Sequence, residues 1–101
     1  VSSAAGGVGL HALAILASVG ARVVATVGRE DKRDFLVRHR RLPPEAIIVR
    51  DRGAFPRQLD RALAAAGARG FDLVFDAIAG PYFWPAYRRR FARILGVEPQ
   101  P

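Results

Sequence analysis

The sequence has 101 residues, half of them hydrophobic, with no cysteine and a formal net charge of +7. This length fits one domain or part of one, and the hydrophobic content predicts a globular chain rather than a disordered one. The lack of cysteine excludes disulfides, thiolate zinc sites and a cysteine nucleophile, and we expect no metal. No hydrophobic segment is long enough to cross a membrane, so we expect a cytoplasmic protein. Because the chain has no methionine, we also expect it to be a segment of a longer protein.

The positive charge comes from fifteen arginines and one lysine, set against nine acidic residues. A basic balance raises the question of a nucleic-acid surface. The arginines are spread along the chain instead of massed on one face, apart from two short groups at 38–41 and 88–90. We therefore expect neither a nucleic-acid nor a membrane partner.

The predicted elements alternate between strand and helix. Residues 1–3 read as the tail of a first strand, residues 7–19 as a helix that stops at Gly20, and residues 22–27 as a buried, β-branched strand. Acidic residues in its first turn mark a second helix at 30–40, with Phe35 and Leu36 predicted to face inward. Two prolines then lead to a strand at 46–49.

The second half continues the alternation. A helix is predicted at 55–66, closed by Gly67, then a strand at 71–76 and a last helix from the four-residue spacing of Phe83, Tyr87, Phe91 and Leu95. This pattern indicates an α/β fold, a partial Rossmann-type parallel sheet with flanking helices in the strand order 3-2-1-4. We predict a partial NADP-binding domain at 1–95 and a C-terminal tail at 96–101.

The first functional signal is a glycine-rich turn at the start of helix one. Its pattern is A-x-G-x-x-G, with Ala4, Gly6 and Gly9 at the three fixed positions. Gly6 would let the backbone approach a pyrophosphate, and Gly9 would let the helix pack close to the neighbouring strand. A glycine turn at a helix start suits a phosphate, although a flexible turn before a core helix has the same pattern.

Helix one is apolar almost all round. Only His11 and Ser18 interrupt its hydrophobic surface. Such a helix is covered on both sides, so one side should meet the sheet and the other a neighbouring domain or subunit. No acidic residue or serine stands at a spacing that would indicate a catalytic pair with His11. We therefore expect His11 to lie in the hydrophobic core or at its rim.

The end of the second strand predicts which dinucleotide binds. An NAD site of this architecture needs an acidic residue there, but this strand ends at Val27 and Gly28. Arg29 and Lys32 follow at once, which favours the 2′-phosphate of NADP. The adjacent Glu30 and Asp31 leave open a second interpretation, in which these charges only form the solvated start of a helix.

These segments together resemble the cofactor domain of medium-chain dehydrogenase/reductases, in the zinc-independent quinone oxidoreductase branch. The resemblance covers about residues 1–87 and is carried by SAAGGVG at 3–9, GARVVAT at 20–26 and GFDLVFD at 70–76. The same stretch is similar to the enoyl reductase domains of polyketide synthases. The resemblance implies NADPH-dependent hydride transfer to a quinone, enone or other conjugated carbonyl.

Site residues follow from the resemblance by position. The backbone near Ala5 to Val8 would hold the pyrophosphate, Gly28 and Lys32 would lie at the 2′-phosphate with Arg29 as a second cation, and Arg52 would lie at the adenine. Ala77 to Ala79 would face the nicotinamide. The predicted cofactor-binding residues are thus Ala5, Gly6, Gly7, Val8, Gly28, Arg29, Lys32, Arg52, Ala77, Ile78 and Ala79.

Several parts of the family pattern are absent from the sequence. The chain ends in a divergent segment, and the GroES-like domain that forms much of the substrate cleft would precede residue 1. No residue here is identified as a proton donor, so the catalytic residues stay unassigned. We expect the parent to be an enzyme and a homodimer, and the isolated segment to be inactive. Two alternatives stay open: an enoyl reductase domain of a polyketide synthase, and a non-catalytic nucleotide-binding or interaction module.

Overall fold

The computed structural model describes residues 1–75 of the chain. Within them lie three α-helices, α1 at Gly7–Ser18, α2 at Glu30–Arg40 and α3 at Phe55–Ala65. Two short strands, β1 at Ala25–Val27 and β2 at Ile47–Val49, pair in parallel. The described part of the chain is therefore α/β, with one two-stranded parallel sheet, and it is compatible with a partial Rossmann-like fold.

The N-terminal residues run alongside β1. The Val1 nitrogen donates to the Val24 carbonyl at 2.8 Å, and the Thr26 N–H donates to the Val1 carbonyl at 2.8 Å. Ala4 N–H then donates to the Thr26 carbonyl at 3.1 Å. These bonds connect residues 1–4 to the edge of β1 that faces away from β2.

The sheet separates two hydrophobic clusters. Alternate strand residues point to opposite faces, so Ala25, Val27 and Ile47 pack with Leu13 of α1 and Leu36 of α2. On the other face Ile48 packs with residues of α3, namely Phe55, Leu59 and Ala62. The helices α1 and α2 thus cover one face of the sheet and α3 the other.

The helix ends agree closely with the sequence. Gly20 and Gly67 follow α1 and α3 with φ of 72° and 66°. After α1, Gly20 N–H donates to the Ala17 carbonyl and Ala21 N–H to the Leu16 carbonyl, which is a Schellman motif. The predicted C-terminal glycines are confirmed at both helices.

Other boundaries differ from the predictions. The strand predicted at 22–27 is confined to Ala25–Val27, and the one predicted at 46–49 begins at Ile47 because Pro44–Ala46 form a 3₁₀ turn. Residues 71–75 form no regular strand, although Phe75 accepts a hydrogen bond from Ser2 N–H at 3.0 Å. The last predicted helix, the tail at 96–101 and Ala77 to Ala79 lie outside the described residues.

The prediction that Phe35 faces inward is wrong. Leu36 is fully buried, whereas the Phe35 ring lies at the surface against the His39 ring, with ring centroids 4.7 Å apart. Adjacent helix positions are about 100° apart, so only one of two neighbouring apolar residues can point straight at the sheet.

Candidate functional site

A tight turn carries the chain from residues 1–4 into α1. Gly6 N–H donates to the Ser3 carbonyl at 2.9 Å, and Ser3 takes a positive φ of 48°. The glycines of the turn are therefore not needed for a left-handed backbone, which falls on Ser3 instead. A Cβ at Gly6 would lie 3.3 Å from the Ser3 carbonyl oxygen, so a larger residue would crowd the turn.

Gly9 has a packing role. A Cβ at this position would overlap the Ser3 carbonyl oxygen and lie 2.8 Å from Ala4 Cα. Ala4 is itself fully buried. The expectation that Gly9 lets the helix approach the first strand segment is confirmed, and this contact fixes where α1 begins relative to the sheet.

The first turn of α1 has backbone N–H groups that no acidic side chain neutralises. The first helical hydrogen bond runs from Leu10 N–H to the Gly6 carbonyl at 2.8 Å. The N–H groups of Gly7, Val8 and Gly9 precede it, and within residues 1–75 they have no hydrogen-bond partner. The first turn has no acidic residue and no side-chain cap. This helix end is therefore electrostatically suited to an anion.

A cavity of about 230 Å³ lies between this turn and the end of β1. Five of the predicted cofactor-binding residues line it: Ala5, Gly6, Gly28, Arg29 and Lys32. Ser3 and Val27 complete the lining. The structure thus brings together two segments more than 20 residues apart, the glycine turn and the start of α2. Gly7, Val8 and Arg52 do not line the cavity.

Acidic residues neutralise two of the nearby cations. The Arg29 guanidinium contacts the Asp31 carboxylate through two nitrogens, at 3.1 and 3.2 Å, and Arg33 Nη1 lies 3.3 Å from Glu30 Oε1. Lys32 has no ion-pair partner among the residues that the structure describes. An anion that enters the cavity can therefore contact the Lys32 ε-ammonium without breaking an ion pair, whereas contact with Arg29 would compete with Asp31.

Sequence reasoning missed Arg50, which lies next to this site. Arg50 directly follows β2, and its Nη1 donates to Thr26 Oγ1 of β1 at 3.1 Å. A Cβ at Gly28 would lie 3.2 Å from Arg50 Nη2. Its position immediately after a buried strand was the available signal, because adjacent parallel strands end at the same edge of a sheet. Arg52, the residue that the resemblance places at the adenine, is exposed on the following loop.

A second cavity lies at the opposite end of the sheet. It measures about 300 Å³ and is lined mainly by apolar residues, including Leu13, Val23 and Leu42. Arg22 and Val23 precede β1, so this cavity is at the amino ends of the strands. It contains no helix N-terminus and none of the predicted cofactor-binding residues, and we assign it no function.

The outer side of α1 is exposed within the described part of the chain. Val8, Ile15 and Val19 are 62%, 65% and 72% exposed, and His11 lies on this side as well. The inner side packs on the sheet through Leu13. The inner side therefore meets the sheet as expected, whereas the outer side is uncovered within residues 1–75 and His11 is exposed there rather than in the core. Of the helices in residues 1–75, none is long and apolar enough to cross a bilayer.

The sequence is similar to segments of fungal polyketide synthases. The highly reducing polyketide synthase of Aspergillus terreus is 43% identical over an alignment of 82 residues, which covers 79% of this chain and 3% of that protein. The highly reducing polyketide synthase poxF of Penicillium oxalicum is 33% identical over 88 residues, 87% of this chain and 3% of its own length.

A hybrid synthetase gives a similar match. The hybrid PKS-NRPS synthetase pynA of Aspergillus niger is 39% identical over 80 residues, 79% of this chain and 2% of that protein. No protein-family model matches the chain. The chain therefore spans about 2% to 3% of the length of these relatives and is similar to one short segment of each.

Proposed function

We propose that this chain is the NADPH-binding segment of a reductase of the polyketide-synthase enoyl reductase kind. The observation that carries the proposal is the cavity where the start of α1, Gly28 and Lys32 meet. The relatives named highly reducing polyketide synthases support a reductive role. The resemblance to medium-chain dehydrogenase/reductases supplies the class of reaction.

The cavity and the adjoining first turn of α1 together fit a dinucleotide with an extra phosphate. The N–H groups of Gly7 and Val8 suit the pyrophosphate, because they point out of the helix end where the dipole is positive. Lys32 and Gly28 suit the 2′-phosphate, since no carboxylate lines this cavity. An acidic residue at the end of β1 would repel that phosphate, and the chain has Gly28 there.

Bound NADPH would supply a hydride to the β-carbon of a double bond conjugated with a carbonyl, and a proton from elsewhere would complete the reduction at the α-carbon. This chain binds and orients the adenosine and pyrophosphate end. Ala77, Ile78 and Ala79 remain our prediction for the nicotinamide end. The substrate cleft, with the GroES-like domain and the homodimer that the resemblance implies, belongs to the proposed parent protein.

We also propose the strand order 3-2-1-4 for the sheet of which β1 and β2 are part. Hydrogen bonds connect β2 to β1, β1 to residues 1–4, and Ser2 to Phe75. Successive neighbours in this series are the third, second, first and fourth predicted strand segments. This succession supports the order 3-2-1-4, in which nucleotides bind outside the carboxyl ends of the strands.

Isothermal titration calorimetry of the 101-residue chain with NADPH and NADH tests the function. We expect NADPH to bind more tightly than NADH, and Lys32→Ala to weaken NADPH binding about 10- to 100-fold because a charge-assisted contact to the 2′-phosphate is lost. The control variant Arg38→Ala removes an exposed charge from the other end of α2 and should leave both affinities unchanged. Equal binding of the two nucleotides, or none, would favour a non-catalytic module.

A quinone oxidoreductase is the second candidate, carried by the motif resemblance at 3–9 and 20–26. It shares the cofactor site and differs in the electron acceptor. A longer protein that contains this segment should oxidise NADPH faster with a trans-2-enoyl thioester than with benzoquinone if the enoyl reductase proposal is correct. The reverse order of rates would favour the quinone reductase.

A further inference from the structure

Ser3 has a backbone conformation that favours glycine. Its φ is 48°, in the left-handed region that a residue with a Cβ enters only at a cost in free energy. The turn holds it there, because the Ser3 carbonyl accepts from Gly6 N–H at 2.9 Å and packs against Gly9. A glycine at position 3 would take the same conformation with less strain. Strain of this kind is typical of residues that serve a binding site.

The Ser3 hydroxyl is open to a ligand. It has no hydrogen-bond partner within residues 1–75, unlike the other two serines of the chain. Ser2 Oγ donates to the Phe75 carbonyl at 3.5 Å, and Ser18 Oγ donates to the Ile15 carbonyl at 2.6 Å. Among the described residues no buried side-chain polar atom lacks a partner, so the Ser3 oxygen is accessible to solvent rather than sealed in the core.

The cavity at the end of β1 is where this hydroxyl can meet a phosphate. Of the described residues that line the cavity, Ser3 is the one that carries a hydroxyl, and no carboxylate competes for it there. A phosphate monoester carries about 1.5 to 2 negative charges and three strong acceptor oxygens. The Lys32 ammonium supplies one positive charge, and the Arg29 guanidinium is already paired with Asp31. A bound phosphate therefore has acceptor oxygens left for a neutral donor.

We propose that Ser3 is a specificity-determining residue of this cavity, whose hydroxyl donates a hydrogen bond to the 2′-phosphate that Lys32 binds. The inference rests on the proposed NADPH-binding function. Ser3 belongs to the glycine turn and Lys32 to α2, so the phosphate is held between the two segments that form the cavity. The hydrogen bond of the Ser3 carbonyl within the turn fixes the Ser3 backbone before the nucleotide arrives.

The test is calorimetric titration of the full 101-residue chain with two probes, 2′,5′-ADP and 5′-AMP, which differ by the 2′-phosphate. We expect Ser3→Ala to weaken 2′,5′-ADP binding about tenfold and to change 5′-AMP binding less than about threefold, because only the first probe carries the contacted group. Ser18→Ala is the matched control. It removes the same hydroxyl from the exposed far end of α1 and should leave both affinities within about threefold of wild type.

A second variant, Ser3→Gly, separates the hydroxyl from the backbone conformation. Glycine suits the positive φ, so we expect this variant to unfold at a temperature at least as high as wild type. We also expect it to lose 2′,5′-ADP affinity by the same factor as Ser3→Ala. If Ser3 only shaped the turn, glycine would shape it equally well, and a retained preference for 2′,5′-ADP in Ser3→Gly would overturn the inference. The same variant decides the question if circular dichroism shows that Ser3→Ala does not fold.

The outcomes separate this inference from the proposed function. If 2′,5′-ADP binds no better than 5′-AMP to the wild-type chain, both proposals fail. If wild type prefers 2′,5′-ADP and Lys32→Ala removes the preference, but both Ser3 variants match Ser18→Ala, the NADPH site stands and the Ser3 contact is refuted. An equal loss of affinity for both probes in the Ser3 variants would also overturn the contact with the 2′-phosphate.

Discussion

The helices α1 and α2 cover the same face of the sheet but begin in opposite electrostatic settings. The α1 helix follows Gly6 and has neither an acidic residue in its first turn nor a side-chain cap. The α2 helix follows Arg29 and carries Glu30 and Asp31 in its first turn. Both helix ends have unpaired N–H groups and a positive dipole, but only α2 brings its own negative charge.

This difference indicates which helix start is built for a ligand. The acids of α2 stabilise that helix and also hold Arg29 and Arg33 by ion pairs. The start of α1 forgoes such stabilisation, which is worth about 0.3–1 kcal/mol per charge, and leaves its donors to an external anion. The start of α2 is thus neutralised by its own acidic residues, whereas the N–H groups at the start of α1 are available to the phosphates of the proposed nucleotide.

The largest effect is expected from Gly9→Ala, which would disrupt the close approach of Gly9 to Ser3 and Ala4 at the start of α1. The added methyl would overlap the Ser3 carbonyl oxygen and press on Ala4. We expect a loss in the free energy of unfolding of about 1–3 kcal/mol or more, measured by denaturant unfolding of the chain.

Gly7→Ala is the matched control, because a Cβ there would meet nothing within 4 Å. It should raise the free energy of unfolding by about 0.5–1 kcal/mol, as alanine is the better helix former. Equal effects of the two substitutions would contradict the close approach at Gly9.

Next in size is Gly7→Glu, which would give α1 the acidic first turn that α2 has. We expect nucleotide affinity to fall about tenfold, since the carboxylate competes for the same donors, while the free energy of unfolding rises by about 0.3–1 kcal/mol relative to Gly7→Gln. Titration with NADPH and denaturant unfolding measure the two changes. Gly7→Gln controls for size, and a comparable loss of affinity in that variant would assign the effect to bulk rather than charge.

The smallest effect is expected from Asp31→Asn, which releases Arg29 at the cavity. The pair is exposed, with side chains 67% and 68% accessible, so the contact itself contributes at most about 1 kcal/mol. We expect 2′,5′-ADP to bind about two- to fivefold more tightly, a gain that should shrink in high salt. Glu30→Gln, which releases Arg33 instead, should give no gain, and a similar gain there would indicate a general charge effect.

The sequence predicts the helices of the described region better than its strands. The bounds of α2 match the prediction, because acidic residues mark its start and Arg41 ends it in a left-handed conformation. The strands are shorter than predicted, since hydrophobic runs show where a strand is buried but not where its hydrogen bonding stops. Pro44 illustrates this limit, as it begins a 3₁₀ turn that takes Ala46 out of the strand.

Some features of the candidate site can also be predicted from the sequence, and others cannot. Glycine spacing and the missing acid after β1 were enough to predict that Gly6, Gly28 and Lys32 belong to one region, and the structure gathers them around one cavity. The hydrogen bond from the Arg50 side chain to Thr26 was not predicted, because it depends on side-chain geometry across the two strands. That the carboxylates of Glu30 and Asp31 hold the adjacent arginines likewise depends on side-chain geometry.

Lys32 has a practical consequence for anyone who works with this chain. It is the one lysine of the sequence and it lines the candidate nucleotide cavity. Amine-directed chemistry, such as coupling to a sensor surface, dye labelling or lysine cross-linking, would therefore modify that cavity wherever it did not react with the terminal amine. Attachment through an added cysteine or a terminal tag leaves the cavity intact, since the natural sequence offers no competing thiol.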